Sequence, residues 1–198
     1  MSKLVVSEFL TLDGVMEDPG GAEDFDRGGW AFQFERGAAG DKFKLEETMA
    51  ADALLLGRVT YEGFAKAWPD RTDQVGFADK MNNMPKYVVS RTLERAAWNN
   101  STVLDGDVAG EVAKLKEQGG GEIVVAGSAM LVQTLIEHQL VDEYRLMVFP
   151  VVLGAGKRLF ADTGTTNALR LAQSQAVGDG VLILTYHPVS AAEQAASA

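Results

Sequence analysis

One short stretch constrains the fold of this chain more than any other, because an apolar run stops there at a glycine. Ala53-Leu54-Leu55-Leu56 contains no polar residue, and Gly57-Arg58-Val59-Thr60-Tyr61 follows at once. An uninterrupted apolar run predicts a strand that is buried on both faces. Gly57 permits a tight exit from the sheet, and a helix is predicted over residues 60–66. The stretch therefore predicts a buried strand that leads directly into a helix, and the same alternation along the chain indicates an α/β fold.

The start of that helix has two interpretations. Free N–H groups and the positive end of a helix dipole attract anions, and Arg58 adds a donor fork suited to phosphate oxygens. An ordinary strand-to-helix turn with a surface arginine has the same sequence. The stretch alone leaves both interpretations open.

Two further predicted strand ends carry similar residues. Residues 122–126 predict a buried strand, after which Gly127 and Ser128, a good N-cap, lead into a helix over 129–138. Residues 84–90 predict a strand that ends in Ser90-Arg91-Thr92. Since ligands of open α/β sheets bind at the carboxyl ends of strands, these sites predict one shared binding edge.

The other predicted elements continue the alternation of strands and helices. We expect strands over 3–10, 98–104 and 141–150, helices over 34–49 and 108–118, and a final antiparallel pair over 168–176 and 181–187. Residues 16–29 predict a long surface loop, either a lid or a tolerated insertion. We expect one domain over 1–187 and a frayed tail over 188–198.

Composition limits the classes of partner. The chain has 198 residues, a formal net charge of -10 and no cysteine. The charge argues against nucleic acid and anionic membranes, and the missing thiols exclude disulfides and thiolate metal sites. No apolar run approaches the roughly 20 residues that span a bilayer, and the N-terminus has no signal-peptide core. We expect a cytoplasmic protein that binds small molecules without a metal.

Four segments carry a family resemblance: Leu12-Asp13-Gly14, the organising stretch through Tyr61, Ala126-Gly127-Ser128 with its helix, and Val141-Asp142-Glu143 running on to Pro150-Val151-Val152-Leu153-Gly154-Ala155-Gly156-Lys157-Arg158-Leu159-Phe160. Together they resemble the dihydrofolate reductase superfamily, and most closely the reductase domain of the bifunctional riboflavin-biosynthesis deaminase–reductase and its stand-alone relatives. The resemblance implies a three-layer α-β-α sandwich with a mixed, mainly parallel central sheet. It also implies NADPH as cofactor and a homodimer.

The resemblance further implies cofactor-binding residues. Gly57, Arg58 and Thr60 match the segment that holds the cofactor phosphates, and Ser90 and Arg91 match the strand end that meets the adenosine 2′-phosphate. Gly127, Ser128 and Ala129 match the turn that passes close to the pyrophosphate and the nicotinamide. A hydroxyl and a guanidinium beside the 2′-phosphate favour NADPH over NADH. Dihydrofolate reductase has two glycines at the third position, where this chain has Gly127-Ser128.

Asp41 and Asp13 are the candidate catalytic residues. Asp41 falls on the predicted inward stripe of the 34–49 helix, or else at its solvent edge. It also lies sixteen residues before Gly57, the spacing of the acidic residue with which dihydrofolate reductase promotes pterin protonation. Asp13 precedes a glycine in a turn, where an aspartate is usually structural. Lys157 and Arg158 are candidate ligands of a substrate phosphate, or else belong to a solvated loop or a dimer contact.

These features predict an NADPH-dependent reductase that transfers hydride to a small heterocyclic or carbonyl substrate. The resemblance favours an activity like that of 5-amino-6-(5-phosphoribosylamino)uracil reductase in riboflavin biosynthesis. A dihydrofolate or pterin reductase activity is one alternative. A nucleotide-binding protein without catalysis is another.

Overall fold

A sheet of eight strands organises the structure, a computed structural model that describes residues 1–160 and 166–189. The strands are β1 Lys3–Thr11, β2 Ala51–Gly57, β3 Lys86–Val89, β4 Ser101–Leu104, β5 Glu122–Ala126, β6 Glu143–Phe149, β7 Leu169–Val177 and β8 Val181–Pro188. The α-helices are α1 Gly37–Ala50, α2 Arg58–Ala67, α3 Phe77–Asn83, α4 Val108–Glu117 and α5 Ala129–Glu137, and a 3-10 helix spans Trp30–Gln33.

The sheet is mixed and mainly parallel, as the family resemblance implies. Its strand order is β4-β3-β2-β5-β1-β6-β8-β7. The neighbours from β4 to β6 pair in parallel, whereas β8 is antiparallel to β6 and β7 is antiparallel to β8. The expected final antiparallel pair is therefore confirmed.

Helices cover both faces of the sheet and form two outer layers. Alternate residues of β1 point to opposite faces, so Val6 packs with α4 and α5 while Val5 packs with α2 and α3. Helix α1 contacts α3, which places it in the second of these layers. The first layer has Val112 and Leu115 of α4 and Leu135 of α5 in its core.

The organising strand is buried as predicted. Ala53, Leu54, Leu55 and Leu56 are each at most 5% exposed, because β2 lies between β3 and β5 with helices on both faces. Helix α2 follows without a loop and begins at Arg58, two residues earlier than predicted.

The prediction for the first long helix is wrong in its start and in its buried face. Helix α1 begins at Gly37, and Ala38 and Met49 of the predicted apolar stripe are exposed. Glu47 and Thr48 are buried instead. The reason is that the sheet side chains facing Glu47 are polar, namely those of Ser7 and Arg145.

A polar network joins α1 to that sheet face. Glu47 accepts a hydrogen bond of 2.8 Å from the Ser7 hydroxyl, and Lys44 donates to both residues. Arg145 of β6 lies opposite Ser7 in the sheet, and its guanidinium is 3.7 Å from Glu47. Burial of these charges is tolerated because each has a partner of opposite charge.

Residues 16–29 contain no helix or strand, in line with the predicted loop, and are tied to the body of the protein. The Trp30 indole donates to the Glu17 carbonyl at 2.9 Å, and Arg27 donates to the Leu153 carbonyl. The predicted frayed tail lies mostly outside the described residues. Within the described part of the chain, no helix is long and apolar enough to cross a membrane.

Candidate functional site

The carboxyl ends of four parallel strands lie side by side at one edge of the sheet, in the order β3-β2-β5-β1. Three sequence-predicted sites follow these strands: Ser90-Arg91 after β3, Gly57-Arg58 at the end of β2, and Gly127-Ser128 after β5. The structure thus brings the predicted cofactor-binding residues to one edge. Their role in binding stays a prediction.

Ser128 links the turns after β2 and β5. Its hydroxyl accepts a hydrogen bond of 2.8 Å from the Gly57 N–H and donates one of 3.0 Å to the Thr60 hydroxyl. The prediction that Ser128 caps its own helix is wrong, because it has a left-handed backbone (φ 65°) and makes no side-chain cap bond to α5. Its hydroxyl is used by the neighbouring turn instead.

The first turns of α2 and α5 are both without a side-chain cap. Gly57 has no side chain to offer, and Ser128 turns its hydroxyl away from α5. N–H groups at the start of an uncapped helix need other partners, and together with the helix dipole they form a site suited to anions. Ala129, the first residue of α5, and Arg58, the first of α2, stand at these two helix starts.

The turn at Gly127 leaves no room for a side chain. A Cβ atom there would lie 2.9 Å from both Cγ2 and Oγ1 of Thr60. Gly127 also has φ 59°, a region that side chains disfavour. The backbone of β5–α5 therefore approaches the α2 helix start as closely as it can.

The other polar residues of this edge differ in how they are engaged. The Ser90 hydroxyl accepts hydrogen bonds from the N–H groups of Leu93, at 2.9 Å, and Thr92, at 3.2 Å. Arg58 forms an ion pair of 3.0 Å with Glu62, one turn further along α2. Arg91 is exposed and makes no hydrogen bond or ion pair with another described residue, so its guanidinium is available.

An aromatic cavity of about 420 Å³ opens beside β1, β6 and α1. Phe9 and Phe149 form one wall, with ring centroids 5.3 Å apart. Arg36 lies over the Phe9 ring at 5.7 Å from its centroid and contacts Asp41 at 2.6 Å between Nε and Oδ1. Asp41 thus lines the cavity, but its side chain is 65% exposed rather than turned inward.

Asp13 holds a turn together. Its carboxylate accepts hydrogen bonds from the Thr11 hydroxyl at 2.6 Å and from the N–H groups of Gly154, at 2.8 Å, and Leu153, at 3.2 Å. These donors, the Thr11 hydroxyl above all, lower the pKa of Asp13 to about 2. Because such a carboxylate has no proton to donate at neutral pH, the arrangement favours a structural position for Asp13.

Lys157 and Arg158 lie in the loop after β6, which packs against the turn of Asp13. Lys157 forms an ion pair with Glu17 and also donates its backbone N–H to that carboxylate at 2.9 Å. Arg158 donates to the Asp13 carbonyl at 2.9 Å, and its guanidinium lies 3.7 Å from the Asp13 carboxylate. Both candidate phosphate ligands therefore have acidic partners within the chain.

Sequence analysis missed Glu8, which is 6% exposed within β1. Its Oε2 accepts a hydrogen bond of 3.0 Å from the Gly127 N–H. Burial raises the pKa of Glu8 well above its usual range, and this hydrogen bond offsets only part of the effect. The signal was present in the sequence, because Glu8 is the one carboxylate in a largely apolar strand and such a group is costly to bury.

Comparisons with known proteins agree with this architecture. YyaP of Bacillus subtilis strain 168, an uncharacterized protein, is 29% identical over 188 residues, which cover 93% of this chain and 94% of YyaP. A candidate riboflavin biosynthesis protein from Shewanella sp. PV-4 has a similar structure, with a TM-score of 0.75 at 21% identity over 95% of this chain and 99% of that one. Dihydrofolate reductase from Enterococcus faecalis, solved with NADP(H) and RAB-propyl, gives a TM-score of 0.60 at 14% identity over 95% and 97% of the two chains.

These structures confirm the predicted dihydrofolate reductase-like α-β-α fold. The resemblance drawn from the sequence motifs is confirmed by a match that runs nearly from end to end. Residues 2–183, which include all the strands of the predicted binding edge, match the RibD C-terminal domain, and the chain belongs to that family.

Proposed function

We propose that this protein is an NADPH-dependent reductase acting on a small heterocyclic substrate. The observation that carries the proposal is the pair of uncapped helix starts, α2 and α5, which Ser128 joins at the carboxyl ends of adjacent strands. Two such helix starts suit the two phosphates of a dinucleotide. Membership of the RibD C-terminal domain family supports the same conclusion.

The order of the strands gives the dinucleotide a direction. Arg91 follows β3, the phosphate-binding helix starts follow β2 and β5, and the aromatic cavity adjoins β1. The Arg91 guanidinium would bind a 2′-phosphate, and the other end of an extended dinucleotide would then reach β1. From β3 to β1 is three strand spacings, roughly 14 Å. NADPH supplies the hydride when bound, and the chain supplies the positioning.

The cavity supports a planar substrate. The Phe9 and Phe149 rings offer apolar surfaces to a flat heterocycle, while Asp41 and Arg36 offer an acceptor and donors at its edge. Asp41 would accept hydrogen bonds from an amino-pyrimidine edge. Our leading substrate is therefore an aminopyrimidine of the kind reduced in riboflavin biosynthesis, 5-amino-6-(5-phosphoribosylamino)uracil.

One observation favours the alternative of a substrate without phosphate, such as a pterin. Lys157 and Arg158 are engaged by Glu17 and Asp13, so they are not held open for a phosphate. Steady-state oxidation of NADPH with phosphorylated aminopyrimidine and with dihydropterin substrates separates the two. Absence of oxidation with either, together with tight NADPH binding, would favour a nucleotide-binding protein without catalysis.

The cofactor is tested by titrating NADPH and NADH into the wild type and Arg91→Ala. We expect NADPH to bind more tightly than NADH, and the variant to lose about tenfold in affinity for NADPH while NADH is unaffected. Arg71→Ala is the control for loss of an exposed arginine, because Arg71 lies beyond α2, where its guanidinium is 4.8 Å from the centroid of the Trp68 ring. Failure of the wild type to bind either cofactor would refute the proposal.

A further inference from the structure

Two carboxyl groups in the described residues, those of Glu8 and Glu47, have a buried oxygen, Oε1, without a hydrogen-bond partner. Their surroundings differ. Glu47 lies in the network of Ser7, Lys44 and Arg145, which supplies hydrogen bonds and opposite charge. The hydrogen bond described for Glu8 is the one from the Gly127 N–H to Oε2. A buried polar atom left unpaired is costly, so the Glu8 oxygen calls for an explanation.

Glu8 lies where the sheet divides. The pairing of β1 with β5 stops at Ser7 and Ala126, whereas the pairing of β1 with β6 continues to Thr11 and Phe149. The strands β1 and β5 therefore separate from Glu8 onward. Helices α1 and α5, which follow these two strands, cover opposite faces of the sheet. Adjacent strands whose helices leave to opposite faces form a crevice at their carboxyl ends, and ligands bind there in open α/β sheets.

The chemistry of Glu8 suits a particular kind of ligand. Burial favours the neutral acid, and the charged groups that act on it are Lys44 and Glu47, which oppose each other. A neutral carboxyl group has one hydroxyl donor besides its acceptor oxygen. Since Oε2 already accepts from Gly127, the hydroxyl falls on Oε1 and needs an acceptor such as a carbonyl oxygen.

We infer that Glu8 binds the amide-bearing end of the dinucleotide, with Oε1–H donating a hydrogen bond to the amide carbonyl oxygen. The inference rests on the proposed function, which directs the nicotinamide end of NADPH toward β1. Oε2 would keep its bond to Gly127, so one side chain would fix both the turn after β5 and the ring that follows the pyrophosphate.

The test compares a whole cofactor with a fragment that lacks the nicotinamide. NADPH and adenosine 2′,5′-bisphosphate are titrated into the wild type, Glu8→Leu and Glu8→Gln. We expect Glu8→Leu to lower the affinity for NADPH about tenfold and to leave the affinity for the fragment within about twofold of the wild-type value. Glu8→Gln should restore NADPH binding, because its amide accepts from Gly127 and donates to the ligand carbonyl.

Glu47→Gln is the control, since it removes the charge of the other buried carboxyl group with an unpartnered oxygen, which lies against Ser7 on the opposite face of the sheet and is the weakest of the influences on Glu8. It should leave both affinities within about twofold of the wild type. Thermal unfolding of each variant shows whether it is folded at the titration temperature.

The outcomes separate the inference from the proposed function. Equal losses of NADPH and fragment in Glu8→Leu would mean that Glu8 supports the turn only, and unchanged NADPH binding would mean that Oε1 meets water; either result overturns the inference while the cofactor stands. A wild type that binds neither NADPH nor the fragment overturns both.

Discussion

Two regions at the carboxyl edge of the sheet contain similar residues and treat them differently. At the β3-β2-β5 edge, two helix starts are uncapped and Arg91 has no partner among the described residues. Where the turn after β1 meets the loop after β6, Asp13 accepts from the N–H groups of Leu153 and Gly154, Arg158 donates to the Asp13 carbonyl, and Lys157 pairs with Glu17. We call the first the open edge and the second the clasp.

The difference shows why residue type alone does not identify a binding site. A carboxylate of the same chain that pairs with an arginine or lysine weakens its attraction for a ligand anion, because the ligand must compete with that carboxylate. The charged groups of the clasp pair with one another and hold a loop closed, whereas the open edge has N–H groups and a guanidinium that can bind a ligand. Binding capacity therefore lies in unused donors.

The largest expected effect comes from replacing a glycine of the open edge, and the same replacement in the clasp serves for comparison. Gly127→Ala adds a Cβ 2.9 Å from Thr60 at φ 59°, so we expect a loss of about 3 kcal/mol in unfolding free energy and of at least about tenfold in NADPH affinity. Urea unfolding and NADPH titration measure these effects.

Gly14→Ala is the control for the glycine test. Gly14 has φ 78°, but a Cβ there meets nothing within 4 Å. It should cost about 1–2 kcal/mol from the backbone alone and leave NADPH binding unchanged. Equal effects of the two variants on binding would remove the distinction between the open edge and the clasp.

The next effect tests the clasp itself. Asp13→Ala leaves the Thr11 hydroxyl and the N–H groups of Leu153 and Gly154 without their acceptor, so we expect unfolding to become about 2 kcal/mol easier in urea. Asp41→Ala breaks only an exposed ion pair with Arg36 and should cost at most about 1 kcal/mol. A folded Asp13→Ala of wild-type stability that no longer reduces substrate would instead assign Asp13 to catalysis.

The stability given by Asp13 should also depend on pH. Its pKa is lowered to about 2 in the folded protein, against about 3.9 in an unfolded chain. A lowered pKa means that the folded state holds its proton less tightly, so the stabilisation is complete above about pH 5 and is lost as the pH falls toward 2. The difference in unfolding free energy between the wild type and Asp13→Ala should shrink over that range. A constant difference would mean that the hydrogen bonds do not depend on the charge.

Much of the fold was predictable because local patterns and tertiary structure agree. The apolar run of β2, the turn that joins β7 to β8 and the glycine-led start of α5 each indicate the correct element. Helix α1 was misread because its buried face is polar. The sequence predicts that an apolar stripe of the helix faces the sheet, whereas Lys44 and Glu47 face it and contact Ser7. The pattern is explained by the polar sheet residue that they meet, which the helix sequence alone does not show.

The open edge was partly predictable and the cavity was not. Residues that follow parallel strands must share one edge, so Ser90, Gly57 and Gly127 come together by topology. The sequence does not show which basic residues are already paired, because pairing depends on contacts between distant segments, such as that of Lys157 with Glu17, 140 residues apart. Glu8 could have been found by asking why an apolar strand contains one carboxylate.

The smallest expected effect concerns the basic residues of the clasp. Lys157→Ala combined with Arg158→Ala removes side chains that are 61% and 49% exposed, so the loss of unfolding free energy should stay near 1 kcal/mol. Because both cations are already paired and neither lines the cavity, KM for a phosphorylated aminopyrimidine should stay within about twofold of the wild-type value. Arg36→Ala removes the cation that holds Asp41 at the cavity, so it should raise KM for the same substrate.

Comparing the phosphorylated substrate with its dephosphorylated form makes the test of the clasp specific. If the double variant raises KM for the phosphorylated form alone, Glu17 and Asp13 release their partners when substrate binds, and the clasp is a phosphate site held closed in the free protein. If neither KM changes, the clasp does not bind the substrate phosphate. The charged contacts of the substrate would then lie at the cavity, which Arg36 lines. Unused donors would then mark the cofactor site, whereas the substrate would meet a cation that is paired with Asp41 in the free protein.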